Sequence, residues 1–372
     1  MVYNKKFFFA LATFIGTIVG VGIYGLPYVG AQAGFLLLVS FLLLAAIIVF
    51  VVNRMLASIA VHTPGLHQLP GYAQTYLGPW AKRAALVIKV LSFYGTLLSY
   101  LIIGGQFLAN LLSGPDILYT FIFFIVAALL IWRGARSIGP VELILMSLLI
   151  LLVILLLVFG FSSIEATNLK PINWSYAFLP YGVALFAMWG ASIIPELKEE
   201  LAGDLKKLTR IIIVGLSTCL ALYLVFSFLV IGISGPATSE NAIAGLTSAL
   251  GGDIVKFGYL LGVITTFSSF TTLGMTTHKL FWYDYKIPKF WSWLLAMFVP
   301  LTLFIIGLQD FIAIISITGA IMLGLDGILV ALVFIAMKRK QGSSRLTAYS
   351  MLSAVLMVCL LIGVILEITK PS

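Results

Sequence analysis

Apolar runs separated by short polar or Gly/Pro-rich turns fill almost the whole 372-residue chain. About 20 consecutive apolar residues cross a bilayer. Runs of that order fall near residues 7–30, 34–60, 84–112, 117–132, 140–161, 176–196, 210–234, 253–277, 290–308, 311–337 and 347–368. The pattern predicts an all-α integral membrane protein of eleven transmembrane helices. The connections leave no room for a soluble domain, so residues 1–372 are expected to form a single membrane domain.

Two runs are poor material for continuous helix. The first holds Gly16-Thr17-Ile18-Val19-Gly20-Val21-Gly22-Ile23-Tyr24-Gly25-Leu26-Pro27. Glycine costs about 1 kcal/mol against alanine in a helix, and proline lacks a donor. The sixth run reads Pro180-Tyr181-Gly182-Val183-Ala184-Leu185-Phe186-Ala187-Met188-Trp189-Gly190-Ala191-Ser192-Ile193-Ile194-Pro195-Glu196, so Gly190 and Pro195 repeat the spacing of Gly22 and Pro27. Broken helix within lipid is tolerated where it is buried in protein or lines a cavity. The breaks lie in the first and sixth runs, a repeat of five, and an odd repeat starts from the opposite side of the membrane. An inverted five-plus-five helix repeat follows, with repeats near 7–161 and 176–337 and an extra C-terminal helix near 347–368. Paired breaks in two halves point to a midplane binding site. The competing reading is small-residue packing of the Gly16-x-x-x-Gly20 kind.

Composition agrees: 62% of residues are hydrophobic and 9% charged, far from soluble globular proteins. The formal charge of +9 is distributed by side. With the N-terminus inside, the inner loops carry Lys5, Lys6, Arg54, Lys82, Arg83, Lys206, Lys207, Lys338, Arg339 and others, while the outer side carries Lys170, Lys256 and Lys370. That asymmetry predicts a multi-pass protein of the cell membrane with a cytoplasmic N-terminus. The basic pI then reports topology and contact with anionic lipid, not nucleic acid. Lys5-Lys6 and Ala31-Gln32-Ala33 mimic a signal peptide, but the apolar run is about twice the usual length and holds Pro27, so the first span is expected to be retained. Cys219 and Cys359 sit in apolar runs as packing residues. His62 and His67 straddle a proline in a polar loop, which is not a metal-ligand spacing.

Tyr100 lies near mid-depth of the third run, either packed between helices or turning its hydroxyl to a cavity. Glu142 is expected to pair locally with Arg133 or Arg136. Residues 238–250 carry Ile243, Leu246 and Leu250 at helical spacing behind the capping candidates Thr238 and Ser239, which predicts a short helix on the outer side.

The first run, the Tyr94-Gly95 to Gln106 pattern, and Trp189-Gly190 through Pro195-Glu196 resemble the amino acid/auxin permease family, including its bacterial aromatic amino acid permease-like branch. That family belongs to the amino acid, polyamine and organocation transporter superfamily. The resemblance is strong over residues 7–112 and 176–200 and moderate over 262–290. It implies two inverted five-helix repeats with the first and sixth helices unwound at mid-membrane. It also implies that Ser268 and Ser269, in the hydroxyl-rich stretch from Thr265 to Thr272, hold a sodium ion against first-span carbonyls near Gly16 and Val19. Hydroxyls of membrane helices also commonly bond back to their own helix, and the branch is often proton-driven.

The residues themselves describe a headgroup site. Backbone donors from Gly20 to Gly22 open the outer half of the first helix, a positive helix end that suits a carboxylate. Carbonyls left free at Ile18 and Val19, with those near Met188 and Trp189, suit an ammonium or a cation. Neither break carries an ionisable side chain, so a zwitterion with a neutral side chain leaves no buried charge unmatched. Phe186, Met188 and Trp189, with Tyr100 and Gly190 beside them, would line its side-chain pocket. The coupling ion is Na+, at Gly16, Val19, Thr265, Ser268 and Ser269, or H+, carried by a titratable group at depth such as Asp326 or Lys89. Glu196 is an inner-gate candidate pairing with Lys5 or Lys6, or else a surface partner of Lys198.

No phosphate loop, zinc spacing or nucleophile–histidine pair is present, which speaks against an enzyme. The expected function is secondary active transport, importing a neutral, aromatic or hydrophobic amino acid by cation symport and alternating access. The alternative is an amino acid sensor on the same fold that binds without transport. No cofactor and no nucleic acid partner are expected; membrane lipid and a monomeric state are.

Overall fold

The computed structural model describes residues 2–65, 67–134, 139–169 and 172–369, without the side chains of 2–5, 139–146 and 284. In chain order the helices are α1 (Val2–Ile18), α2 (Gly22–Ala33), α3 (Phe35–His62), α4 (Leu69–Leu77), α5 (Pro79–Leu112), α6 (Asp116–Trp132), α7 (Gly139–Gly160) and α8 (Leu179–Met188). Then come α9 (Ile194–Glu200), α10 (Leu205–Ser234), α11 (Thr247–Leu250), α12 (Gly252–Lys279), α13 (Lys289–Ile305), α14 (Phe311–Ile317), α15 (Gly324–Lys340) and α16 (Leu346–Thr369). No strand occurs among the described residues.

Among the described residues six helices are long and apolar enough to cross a membrane, and the pair α1–α2, bent by 51°, makes a seventh span. The helices α6 and α13 and the described part of α7 are apolar but shorter. The sixth run is divided between α8 and α9. α1 starts, α3 ends, α5 starts and α15 ends at the end of the bundle where Lys6, Lys82, Arg83, Lys338 and Arg339 cluster, hereafter the basic end.

Both predicted breaks are present, in a narrower form than the glycine pattern suggests. The first spans only residues 19–21, and Pro27 sits inside α2 without ending it. The second is made by Trp189 in extended conformation (φ −72°, ψ 122°) and Gly190, followed by a 3₁₀ turn Ala191–Ile193.

Three features depart from the sequence reading. The polar stretch after α3 folds into α4, which buries Leu69, Tyr72 and Ala73. The outer segment 238–250 is a 3₁₀ turn and a single turn of helix. There Asn241 accepts from the backbone N–H groups of Ile243 and Ala244 at 3.2 and 3.0 Å, and Ser239, one of the two expected caps, accepts from the Gly245 N–H at 3.1 Å. The tenth run is interrupted by a π-helical segment, Thr318–Leu323, between α14 and α15. π-Bulges mark functional sites often enough to be noted.

Packing between these helices relies on contact and interhelical hydrogen bonds, since lipid is as apolar as leucine. Tyr94 of α5 donates to the Leu295 carbonyl at 3.1 Å, and Trp293 of α13 donates to the Ala128 carbonyl of α6 at 3.0 Å. α5, α6, α12 and α13 thereby form a frame beside the broken spans. Cys219 is fully buried, as a packing residue would be.

Candidate functional site

The break in α1–α2 leaves backbone groups unserved for a simple geometric reason. Ile23 N–H, which would reach Val19 in a continuous helix, turns instead to Gly20 O at 3.4 Å. Among the described residues the N–H groups of Gly20 and Val21 find no backbone acceptor. No side chain caps the start of α2. The positive end of α2 and the carbonyl end of α1 therefore both open at residues 19–21.

Beside this break lies a cavity of about 50 Å³. Its lining includes Gly16, Val19, Thr265, Ser268 and Ser269, together with Gly20, Val21, Tyr24 and Thr266. The five candidate cation residues, separated by some 250 positions in the chain, are thus brought together. Their hydroxyls fall into two classes. Thr265 bonds the Leu261 and Gly262 carbonyls at 2.9 and 3.1 Å and meets the Tyr24 hydroxyl at 3.3 Å. Thr266 bonds Gly262 O at 2.6 Å. Ser268 and Ser269 make no side-chain hydrogen bond among the described residues, so their lone pairs face the cavity uncommitted. Two carbonyls and these hydroxyls form an all-oxygen donor set that fits a hard cation.

The other face of the break is closed. A Cβ on Gly22 would lie 2.7 Å from Ala187 Cα and 3.2 Å from the Phe186 ring. A Cβ on Gly190 would lie 2.7 Å from Ile18. The two broken spans therefore meet glycine against backbone and glycine against side chain, crossing at their breaks. Gly20 differs, because a Cβ there would meet the hydroxyl at the tip of the Tyr100 side chain, whose ring is buried.

Three expectations about this site are corrected, those for Ile18, Met188 and Trp189. The Ile18 carbonyl is not free: it accepts from the Tyr223 hydroxyl at 2.9 Å. Met188 does not line a pocket; it is fully buried in the core. The tip of Trp189 rests against Gly327 of α15, directed away from the cavity, whose lining does not include it. Phe186 is half-buried, wedged between Gly22 and Gly319.

Asp326 is 2% exposed, and its Oδ1 makes no hydrogen bond among the described residues. Lys89, also buried and set over the Phe93 ring, is the cation that acts on it. Glu196 is exposed and, among the described residues, forms no ion pair. Lys198 instead donates to Gly65 O at 2.9 Å. The Lys5 side of the expected gate and the pairing of Glu142 with the arginines lie outside the described residues.

Sequence reasoning missed Tyr223 and Tyr24. Tyr24 stood within the quoted glycine stretch and could have been singled out. Tyr223 is a lone tyrosine in an apolar run, Ala221-Leu222-Tyr223-Leu224, with nothing around it to mark it as more than packing.

The fold is similar to those of several solved transporters. The Eremococcus coleocola manganese transporter, in complex with an aromatic bis-isothiourea substituted compound, has a TM-score of 0.70 at 12% identity, covering 100% of this chain and 90% of that one. MhsT in complex with L-phenylalanine has 0.66 at 17% identity, covering 96% and 98%. Mhp1, a nucleobase-cation-symport-1 family transporter, in a closed conformation with bromovinylhydantoin bound, has 0.63 at 13%, covering 98% and 91%. At such identities the likeness carries the fold, an inverted-repeat transporter architecture, and nothing finer. No curated protein matches the sequence significantly. Residues 3–370 match the tryptophan/tyrosine permease family, and the chain belongs to that family of membrane transporters; it is a secondary transporter and not an enzyme.

Proposed function

We propose that the protein imports a neutral amino acid, aromatic or hydrophobic, by symport with a cation. The observation that carries this reading is the opening of the uncapped start of α2 and the end of α1 on one cavity that Ser268 and Ser269 also face. A carboxylate on the α2 end and a cation on the oxygen set satisfy both helix ends at once. The lining residues are neutral glycine, aliphatic, hydroxyl and tyrosine side chains, with no acidic or basic one among the described residues, which supports a substrate whose own side chain is neutral. The family, named for tryptophan and tyrosine, and the resemblance to aromatic amino acid permeases support an aromatic side chain. Na+ is the ion for which the oxygen set is suited. H+ is the alternative, with Asp326 as its carrier, favoured by the burial of that carboxyl without a partner on Oδ1. The basic end is the cytoplasmic one in this reading.

Purified protein in proteoliposomes, offered labelled tryptophan, tyrosine, phenylalanine and leucine under separate Na+ and H+ gradients, tests it. Accumulation driven by one gradient is expected. Binding without accumulation under either gradient would replace the transporter by a sensor.

A further inference from the structure

The hydroxyl of Tyr223 stands where the two broken spans converge. It is fully buried, and it reaches the Ile18 carbonyl at 2.9 Å and the Ala187 carbonyl at 3.0 Å. Ile18 ends α1 and Ala187 is the penultimate residue of α8. Two helix C-termini, each carrying partial negative charge, thus face one another across one hydroxyl. A hydroxyl has a single proton to donate. Both carbonyls are served only while α1 and α8 stay together; once they part, one of them is left without a donor in a buried place.

The cavity next to this contact holds about 50 Å³. That is room for an ion or a few waters, each needing about 10–15 Å³ of such space, and too little for an aromatic side chain. The spans must therefore part to admit one. We propose that Tyr223 is a positioning residue that clasps the two broken spans: sharing its proton between Ile18 and Ala187 holds α1 against α8, and passing it to one carbonyl accompanies opening. The proposal rests on the reading of the breaks as the substrate site.

The chain carries its own reporter. Gly215, Cys219 and Tyr223 lie four residues apart on one face of α10. A Cβ on Gly215 would meet Phe14 and Ile15 of α1, and Tyr223 holds Ile18 of α1. Cys219, between them, is fully buried on that face. Separation of α1 from α10 uncovers its thiol.

The test uses the full-length Cys359→Ser protein in lipid nanodiscs and measures the rate at which a maleimide labels Cys219, with and without tryptophan. Tyr223→Phe keeps the ring and removes the hydroxyl, and labelling is expected to rise about tenfold, the size of one lost hydrogen bond. Substitution of 3-fluorotyrosine at position 223 keeps the hydroxyl and strengthens it as a donor; labelling is expected to slow. Labelling at the parental rate in both proteins overturns the clasp. If the phenylalanine variant does not fold, the fluorinated protein decides alone, a parental rate overturning the proposal and a slower one supporting it. Tryptophan binding by Gly20→Ala is measured in parallel, because it reads the site and not the clasp. Undiminished binding there, with altered labelling at Tyr223, would overturn the site and retain the clasp.

Discussion

The break between α1 and α2 has two faces that are built in opposite ways. Towards α12 it opens on a cavity whose lining includes the hydroxyl residues Thr265, Thr266, Ser268 and Ser269. Towards α8 it closes, with Gly22 set against the backbone of Ala187 and Gly190 against Ile18. One interruption of a helix thus serves as a ligand surface on one side and as a joint on the other. What decides the part played by each glycine is the object that a Cβ would meet. At Gly22 it is backbone, which cannot yield; at Gly20 it is the tip of a tyrosine, which can.

The largest effect is expected at the joint. Gly22→Ala puts a methyl 2.7 Å from Ala187 Cα, so the two spans must move apart. Overpacking of this kind costs about 1–3 kcal/mol, to be seen as a lower unfolding temperature in detergent together with loss of amino acid binding. A Gly22→Leu protein that unfolds at the parental temperature and still binds tryptophan would show that the α2–α8 contact is not a joint. On the open face, Ser268→Ala combined with Ser269→Ala should leave the unfolding temperature almost unchanged, because among the described residues neither hydroxyl is hydrogen-bonded. The cation concentration for half-maximal uptake should rise about tenfold or more, equivalent to about 1.4 kcal/mol. An unchanged cation dependence would empty the cavity of its role.

How far the sequence carried this picture depends on whether a residue acts through its own type or through its neighbours. The breaks were legible because glycine and proline disfavour helix wherever they stand. The grouping of Gly16 and Val19 with Ser268 and Ser269 came from the family resemblance, and the fold brings them to one cavity. The closed face was not legible. That Gly22 and Gly190 are spaced to let two spans cross is a property of the pair, and neither run alone encodes it. The pocket role expected for Met188 and Trp189 failed because side-chain direction at a break follows the local backbone turn, not helical periodicity. Tyr223 was invisible for the same reason: its two acceptors lie 205 and 36 residues away.

Asp326 is the group that could take the ion away from the open face. If the coupling ion is a proton held there, the open face binds substrate alone. Among the described residues, Lys89 of α5 is the charged group that acts on Asp326; the helices packed against α15 also carry Arg54 on α3, Tyr72 and Tyr76 on α4, and Tyr349 and Cys359 on α16. In a proton-driven transporter uptake rises as the outside is acidified, and Asp326→Asn, which cannot exchange the proton, should flatten that rise while leaving tryptophan binding within about twofold. An unaltered profile removes Asp326 from coupling and leaves the open face as the ion site.

The smallest effect distinguishes two kinds of hydroxyl on the same helix. Thr266 lines the cavity as the serines do, but its hydroxyl is committed to the Gly262 carbonyl at 2.6 Å within α12. That carbonyl also belongs to the helix ladder, so Thr266→Val leaves it served while matching the threonine in shape. The loss should stay under about 1 kcal/mol in stability, and the cation dependence should move less than about twofold. If Thr266→Val weakens the cation as strongly as the serine pair does, commitment to the helix does not keep a hydroxyl out of the site. The open face would then be read by position along α12 alone, and the sorting of its hydroxyls into bound and unbound would lose its meaning.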